Sequence, residues 1–132
     1  MKENLLSDLL SQRAIKLLFK IFDDYSKEIC LVGGCVRDAF LGKLSQDIDV
    51  AANVLPREIV EILNKNNIEY EDYAYKYGSI TAYIEDQKFQ ITTLREDIDQ
   101  KGRHTNIRFT DDLFKDAKRR DFTINAIYLS SF

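Results

Sequence analysis

The chain has 132 residues, 45% hydrophobic and 31% charged, with 19 Lys and Arg against 22 Asp and Glu. That length suits one domain able to bury a core without staples, and 7 Tyr, 8 Phe, 5 Gly and one Pro exclude disorder, collagen and low complexity. A net charge of −3 gives no global attraction to nucleic acid or anionic membrane, so any polyanion site must be local.

Leu5, Leu6, Leu9, Leu10, Ala14, Leu17, Leu18, Ile21 and Phe22 form the apolar stripe of an amphipathic helix that packs on the domain. Glu3, Asp8, Arg13 and Lys16 interrupt it, which excludes a signal peptide or a membrane span. Residues 28–32 read as a buried strand ended by Gly33-Gly34, and 36–41 as a short helix closed by Gly42. Residues 47–50 alternate polar and apolar as a second strand. A helix begins near Pro56, buries Ile59, Val60, Ile62 and Leu63, and ends at Asn66-Asn67. The β-branched runs 79–84 and 89–94, separated by residues 85–88, predict a hairpin. Residues 95–106 read as a polar loop, 107–110 as a short strand and 111–118 as a helix capped by Asp111. Residues 122–129 are apolar without a decisive period. The pattern is α+β, with a mixed or antiparallel sheet flanked by helices. It divides into an N-terminal helix over 1–26 packed on a domain over 27–132.

Cys30 and Cys35 are too few for a disulfide framework and lack the spacing and second pair of a zinc site. With His104 as the one histidine, a His-based metal site or a Ser-His-Asp triad has no basis. A reducing, cytoplasmic setting is expected.

Three groups carry possible chemistry. Gly33-Gly34 with Arg37 and Asp38 lets backbone approach a phosphate near a helix N-terminus, although an isolated Gly-Gly turn is more often an ordinary strand-to-helix turn. Asp47 and Asp49, two apart on a strand, project to one side about 6–7 Å apart and repel unless a divalent cation joins them. Taken alone, such a pair is usually a solvated strand face. Lys118, Arg119, Arg120, Asp121 and Asn125 place guanidinium, carboxylate and amide within two turns, enough to hold a phosphate and a ribose hydroxyl. A solvated helix end explains the cations equally well. The stretch Lys101, Gly102, Arg103 and His104 could track an RNA backbone or be a surface loop.

Taken jointly, "LVGGCVRDAFLGKLSQDIDVA", "YGSITAYI", "FQITTLREDI", "GRH" and "KDAKRRDFTINAI" resemble the head domain of class II CCA-adding tRNA nucleotidyltransferases and related bacterial poly(A) polymerases. The resemblance implies a polymerase-β-type fold. It also implies an Mg²⁺-dependent transfer of CMP or AMP from CTP or ATP to an RNA 3′ end, most simply that of tRNA. Asp47 and Asp49 would hold Mg²⁺ and be catalytic. Gly33, Gly34, Arg37, Arg120, Asp121 and Asn125 would bind nucleotide, and Lys101, Arg103 and His104 would lie in a mobile RNA-facing loop. Two departures stand out. Gln90 occupies a position where the family commonly has Glu, and the chain ends at Phe132, before the neck, body and tail that follow in the family, of which the neck carries the motif that reads the incoming base. A head that binds nucleotide or RNA, or complements a separate neck-body subunit without its own catalysis, is the alternative. Self-association through Phe122, Ile124, Ile127, Tyr128, Leu129 and Phe132 is a further expectation.

Overall fold

The computed structural model describes residues 13–33, 47–99, 106–112, 116 and 128–129. Helix α1 covers Arg13–Asp24 and buries Ile15, Leu18 and Phe22, which lie on one face at helical spacing. Leu17, expected on that stripe, is 38% exposed, because Ile15 takes the inward position. The predicted helix at 36–41 and its Gly42 stop lie outside the described residues, as does the beginning of the N-terminal helix.

Strand β1 (Ile29–Val32) pairs antiparallel with β2 (Asp47–Ala52), Val32 opposite Asp49. Helix α2 (Pro56–Lys65) starts on proline, whose missing N–H costs nothing in a first turn, and carries Glu58 early and Lys65 late, both favourable to its dipole. It ends as the two asparagines suggest. Asn67 turns left-handed at φ +56, its N–H donates to the Asn64 carbonyl at 3.2 Å, and Ile68 N–H donates to the Leu63 carbonyl at 2.9 Å. Together these satisfy carbonyls that the helix leaves without partners.

Strand β3 (Glu69–Glu71) and a single 3₁₀ turn at Tyr75–Tyr77 precede β4 (Ser79–Ile84). Strand β5 (Gln87–Thr93) begins earlier than the β-branched run indicates. Glu85 and Asp86, at φ +48 and +66, make a two-residue turn of the primed kind that matches strand twist, so Gln87 already pairs with Ile84. The expected loop over 95–106 is corrected. Arg95–Asp99 forms β6 and pairs antiparallel with β7 (Asn106–Phe109). A ribbon of two strands need not alternate apolar and polar residues, so its composition reads as loop. Asp116 is helical and its N–H donates to the Asp112 carbonyl at 3.2 Å, in keeping with the helix expected there. Tyr128–Leu129 forms β8 against β1.

Among the described residues the main sheet runs β3-β4-β5-β2-β1-β8, and β6-β7 form a separate ribbon. Strands β2 and β5 are parallel and the other pairs antiparallel, so the sheet is mixed, as expected. One face is packed by both helices. Ile15, Leu18 and Phe22 of α1 and Ile59 and Leu63 of α2 join Leu31, Ile48, Val50, Ile80, Phe89 and Ile91 in one core. Period-two alternation then sends the intervening residues of β2, β4 and β5 to the opposite face.

Candidate functional site

The core dictates where the two aspartates go. Ile48 and Val50 are fully buried on the helix side, so Asp47 and Asp49 must project from the other face of β2. Asp47 is exposed and Asp49 half-buried. Gly33, at the end of β1, adopts φ +69, the left-handed region that favours glycine. A Cβ built there would lie 3.6 Å from Asp49 Oδ2, so the turn backbone runs directly beside that carboxylate. Glycine turn and carboxylate pair therefore share one corner of the sheet, as the sequence motifs require.

Strand β5 supplies the neighbours. Gln90 stands opposite Asp49 and Lys88 opposite Asp47, while Thr81 of β4 stands opposite Gln90 on the other side. Gln90 Nε2 donates to Ser79 Oγ at 3.2 Å, and Ser79 Oγ lies 3.1 Å from Thr92 Oγ1. Sequence reasoning singled out Gln90 but missed Ser79 and Thr92. The polar residues of SITAYI and FQITTL fall in phase with Asp47 and Asp49 only once β2 and β5 are paired, a register that the local pattern does not give.

The donor set fits Mg²⁺. Two hard carboxylates share a strand face, the Gly33 backbone adjoins Asp49, and an amide stands across from the more buried one. Mg²⁺ is usually held by one or two carboxylates together with substrate phosphates and water. Among the described residues no group of three or more His, Cys, Asp or Glu converges. Gly34, Arg37, Lys101, Arg103, His104, Arg120, Asp121 and Asn125 lie outside the described residues.

Two surface cavities among the described residues lie elsewhere. Cavities of about 590 and 440 Å³ open at the far end of β2, around Asn53, with Thr93, Arg108 and Thr110 lining one, and Cys30 and Leu94 the other. Lys27, on the larger, is paired with Glu58 at 3.1 Å. Burial, and then the charge of Glu28, push the Cys30 thiol up, which keeps it neutral and a poor nucleophile. Asp47 and Asp49 thus lie on the sheet face opposite the two described helices, apart from these two cavities. No helix of the described residues is long and apolar enough to cross a membrane.

A mixed sheet with helices α1 and α2 on one face and a strand-borne aspartate pair beside a glycine turn on the other is the polymerase-β-like head fold. The chain belongs to the Poly A polymerase head domain family, whose family model matches residues 29–132. It is 39% identical over 121 residues to the human mitochondrial CCA tRNA nucleotidyltransferase 1, a match that covers 91% of this chain and 28% of that protein. The CCA-adding enzyme of Enterococcus faecalis is 38% identical over 106 residues, covering 79% of this chain and 25% of that enzyme. Among solved structures, the Bacillus stearothermophilus CCA-adding enzyme in complex with CTP matches with a TM-score of 0.73 and 28% identity, over 88% of this chain and 27% of that one. The chain therefore spans about 28% of the human relative's length.

Proposed function

We propose that this chain is the head of an Mg²⁺-dependent nucleotidyltransferase that transfers CMP or AMP from CTP or ATP to the 3′ end of RNA, most simply tRNA. The observation that carries the reading is the placement of Asp47 and Asp49 on the open face of β2, with the Gly33 turn against Asp49. A relative solved with CTP supports the donor, and relatives named for adding CCA to tRNA support the acceptor. A cytoplasmic setting belongs to the same proposal.

In the proposed reaction the RNA 3′-oxygen forms a bond to the α-phosphorus as the bond to the α–β bridging oxygen breaks. Pyrophosphate leaves with the electron pair, and the hydroxyl proton passes to water. Mg²⁺ held by Asp47 and Asp49 would neutralise charge on the attacking and leaving oxygens. Asp49 is half-buried, while exposed Asp47 meets the solvent side. Gly33, lacking a side chain, lets the turn backbone pass close to the Asp49 carboxylate. By resemblance, Gly34 and Arg37 grip the triphosphate, Arg120 and Asp121 contact ribose and phosphates with Asn125 in support, and Lys101, Arg103 and His104 follow the RNA.

The test is incorporation of labelled CTP or ATP into tRNA lacking its 3′ end, with Mg²⁺ and then with chelator. Metal-dependent incorporation is expected, and Mg²⁺-dependent nucleotide binding without it would favour a second reading. Gln90 motivates that second reading: a neutral amide beside Asp49 lowers the site's charge, as in a head that binds nucleotide or complements a neck-body subunit. If the protein binds no triphosphate with Mg²⁺, the transfer reading and the nucleotide-binding form of the second reading both fail. Self-association through the C-terminal apolar segment is proposed with the same standing, and a strictly monomeric mass in solution would count against it.

A further inference from the structure

A buried carboxylate that the proposed reaction does not use carries a further inference, one that rests on the proposed function. Asp116 is 0% exposed, and among the described residues it alone combines a charged side chain with burial. Burying a carboxylate is costly unless hydrogen bonds meet it. Asp116 Oδ1 accepts the backbone N–H of Arg95 at 3.0 Å.

That N–H belongs to a peptide group engaged on both sides. In a planar trans peptide the Leu94 carbonyl and the Arg95 N–H point opposite ways. The carbonyl accepts the Thr110 N–H at 2.8 Å, just past the end of β7, and the N–H meets Asp116 on the other side. Leu94 also donates its own N–H to the Ala52 carbonyl at 3.0 Å, at the end of β2. Two consecutive residues thus join the main sheet, the ribbon and helical Asp116. Thr110 Oγ1 accepts the Asp112 N–H at 3.1 Å, which fixes the chain between ribbon and helix.

This junction lies on the face that carries the aspartates. Val32, Ala51 and Leu94 form a small second core there, with Cys30 packed against it. Val32 is the register partner of Asp49, and Ala51 follows Asp49 by two positions on the same side of β2. Asp112 lines a cavity together with Cys30, Ala51 and Leu94. The chain leaving β7 is therefore brought onto the aspartate-bearing face, and Asp116 fastens it. Arg120 and Asp121, nucleotide contacts by resemblance, come four and five positions later in the sequence.

We infer that Asp116 is a positioning residue for the nucleotide. Through the Arg95 peptide its carboxylate sets where the chain leading to Arg120 and Asp121 departs from the sheet. Asp47 and Asp49 are held separately, by Ile48 and Val50 in the main core. Loss of the Asp116 tie should therefore affect nucleotide more than metal.

The test compares two bindings by the intact chain, below the melting transition of every variant. One is Mn²⁺ alone, read by electron paramagnetic resonance, and the other is labelled CTP in the presence of Mg²⁺. Asp116→Ala should weaken CTP binding at least about tenfold and leave Mn²⁺ binding within about twofold, since small misplacements of binding groups are costly. Asp116→Asn still offers an oxygen to the Arg95 N–H and should keep CTP binding within about threefold. Asp116→Glu keeps charge and acceptor but adds a methylene, and should weaken CTP binding several-fold. Hydrogen exchange at the Arg95 amide should be fast in Asp116→Ala and slow in Asp116→Asn. Equal losses of Mn²⁺ and CTP would mean general destabilisation and overturn the positioning role. An Asp116→Asn loss as large as that of Asp116→Glu overturns it too, and this pair decides if Asp116→Ala does not fold. CTP binding that ignores every Asp116 variant sinks this inference alone. No CTP binding by the unaltered chain with Mg²⁺ removes the proposed function, and this inference with it.

Discussion

At the scale of single residues, the candidate site depends on a few side chains whose loss should separate chemistry from folding. Asp47 is exposed and stabilises no core, so Asp47→Ala should leave the melting transition in place. Metal-dependent incorporation should nevertheless fall at least about a hundredfold, measured at saturating CTP, since electrostatic stabilisation carries much of such catalysis. Gly33→Ala probes the adjoining backbone. Its added Cβ would sit at an ordinary contact distance of 3.6 Å from Asp49 Oδ2, so the cost is conformational: φ +69 disfavours alanine by about 1–2 kcal/mol. Urea unfolding should report that loss. Cys30 gives a prediction of pH dependence. Its folded pKa is raised above the ordinary value of 9.0, so the neutral thiol is the folded form and the unfolded chain ionises first. Stability from this group is therefore complete below 9.0 and is lost as pH rises through the raised folded value. The urea midpoint should drop more steeply above pH 9.0 in the unaltered chain than in Cys30→Ala, and parallel curves would refute the assignment.

At the scale of elements, the joint between the sheet and the β6-β7 ribbon is the sharpest steric feature. Gly78 sits at φ +83 after the Tyr75–Tyr77 turn, and a Cβ there would lie 2.6 Å from Phe109 Cε1. Gly78→Ala should cost about 1–2 kcal/mol for the backbone and about 1–3 kcal/mol more for the clash. Adding Phe109→Leu should recover only the second part, and a double-mutant cycle by urea unfolding checks this. These elements also divide what sequence could reveal from what it could not. Helix α2 was legible because its proline start, apolar spacing and asparagine stop all agree. The β4-β5 hairpin was legible because β-branched residues alternate on both arms. Strand β3, with Glu69 and Glu71 at the sheet edge, has no apolar signature, and neither does Arg95–Asp99. The parallel pairing of β2 with β5 joins strands separated by α2, β3 and β4, and no local pattern encodes it. The aspartate pair was therefore visible as a motif, whereas the Ser79–Gln90–Thr92 arrangement beside it required the register.

At the scale of the whole molecule, the issue is which part of the reaction a head can perform. Triphosphate and metal are recognised by charge, and Asp47, Asp49 and the glycine turn suit that task whatever base the nucleotide carries. Choosing a base is different, because strong discrimination comes from buried hydrogen-bonding groups left unpaired by the wrong substrate. In the resembled family, the base-reading motif lies in the neck, whereas this chain matches the head and covers 28% of the human relative. The 132-residue chain assayed by itself should therefore use CTP, ATP, UTP and GTP with kcat/KM values within about tenfold of one another. Supplying a neck-body polypeptide that associates with it should raise the preference for CTP and ATP over UTP and GTP without altering the requirement for Asp47 and Asp49. Parallel single-nucleotide incorporation assays with the four triphosphates read both effects. Selectivity of about 10⁴ by the chain alone would place base reading within these residues and overturn the division of labour.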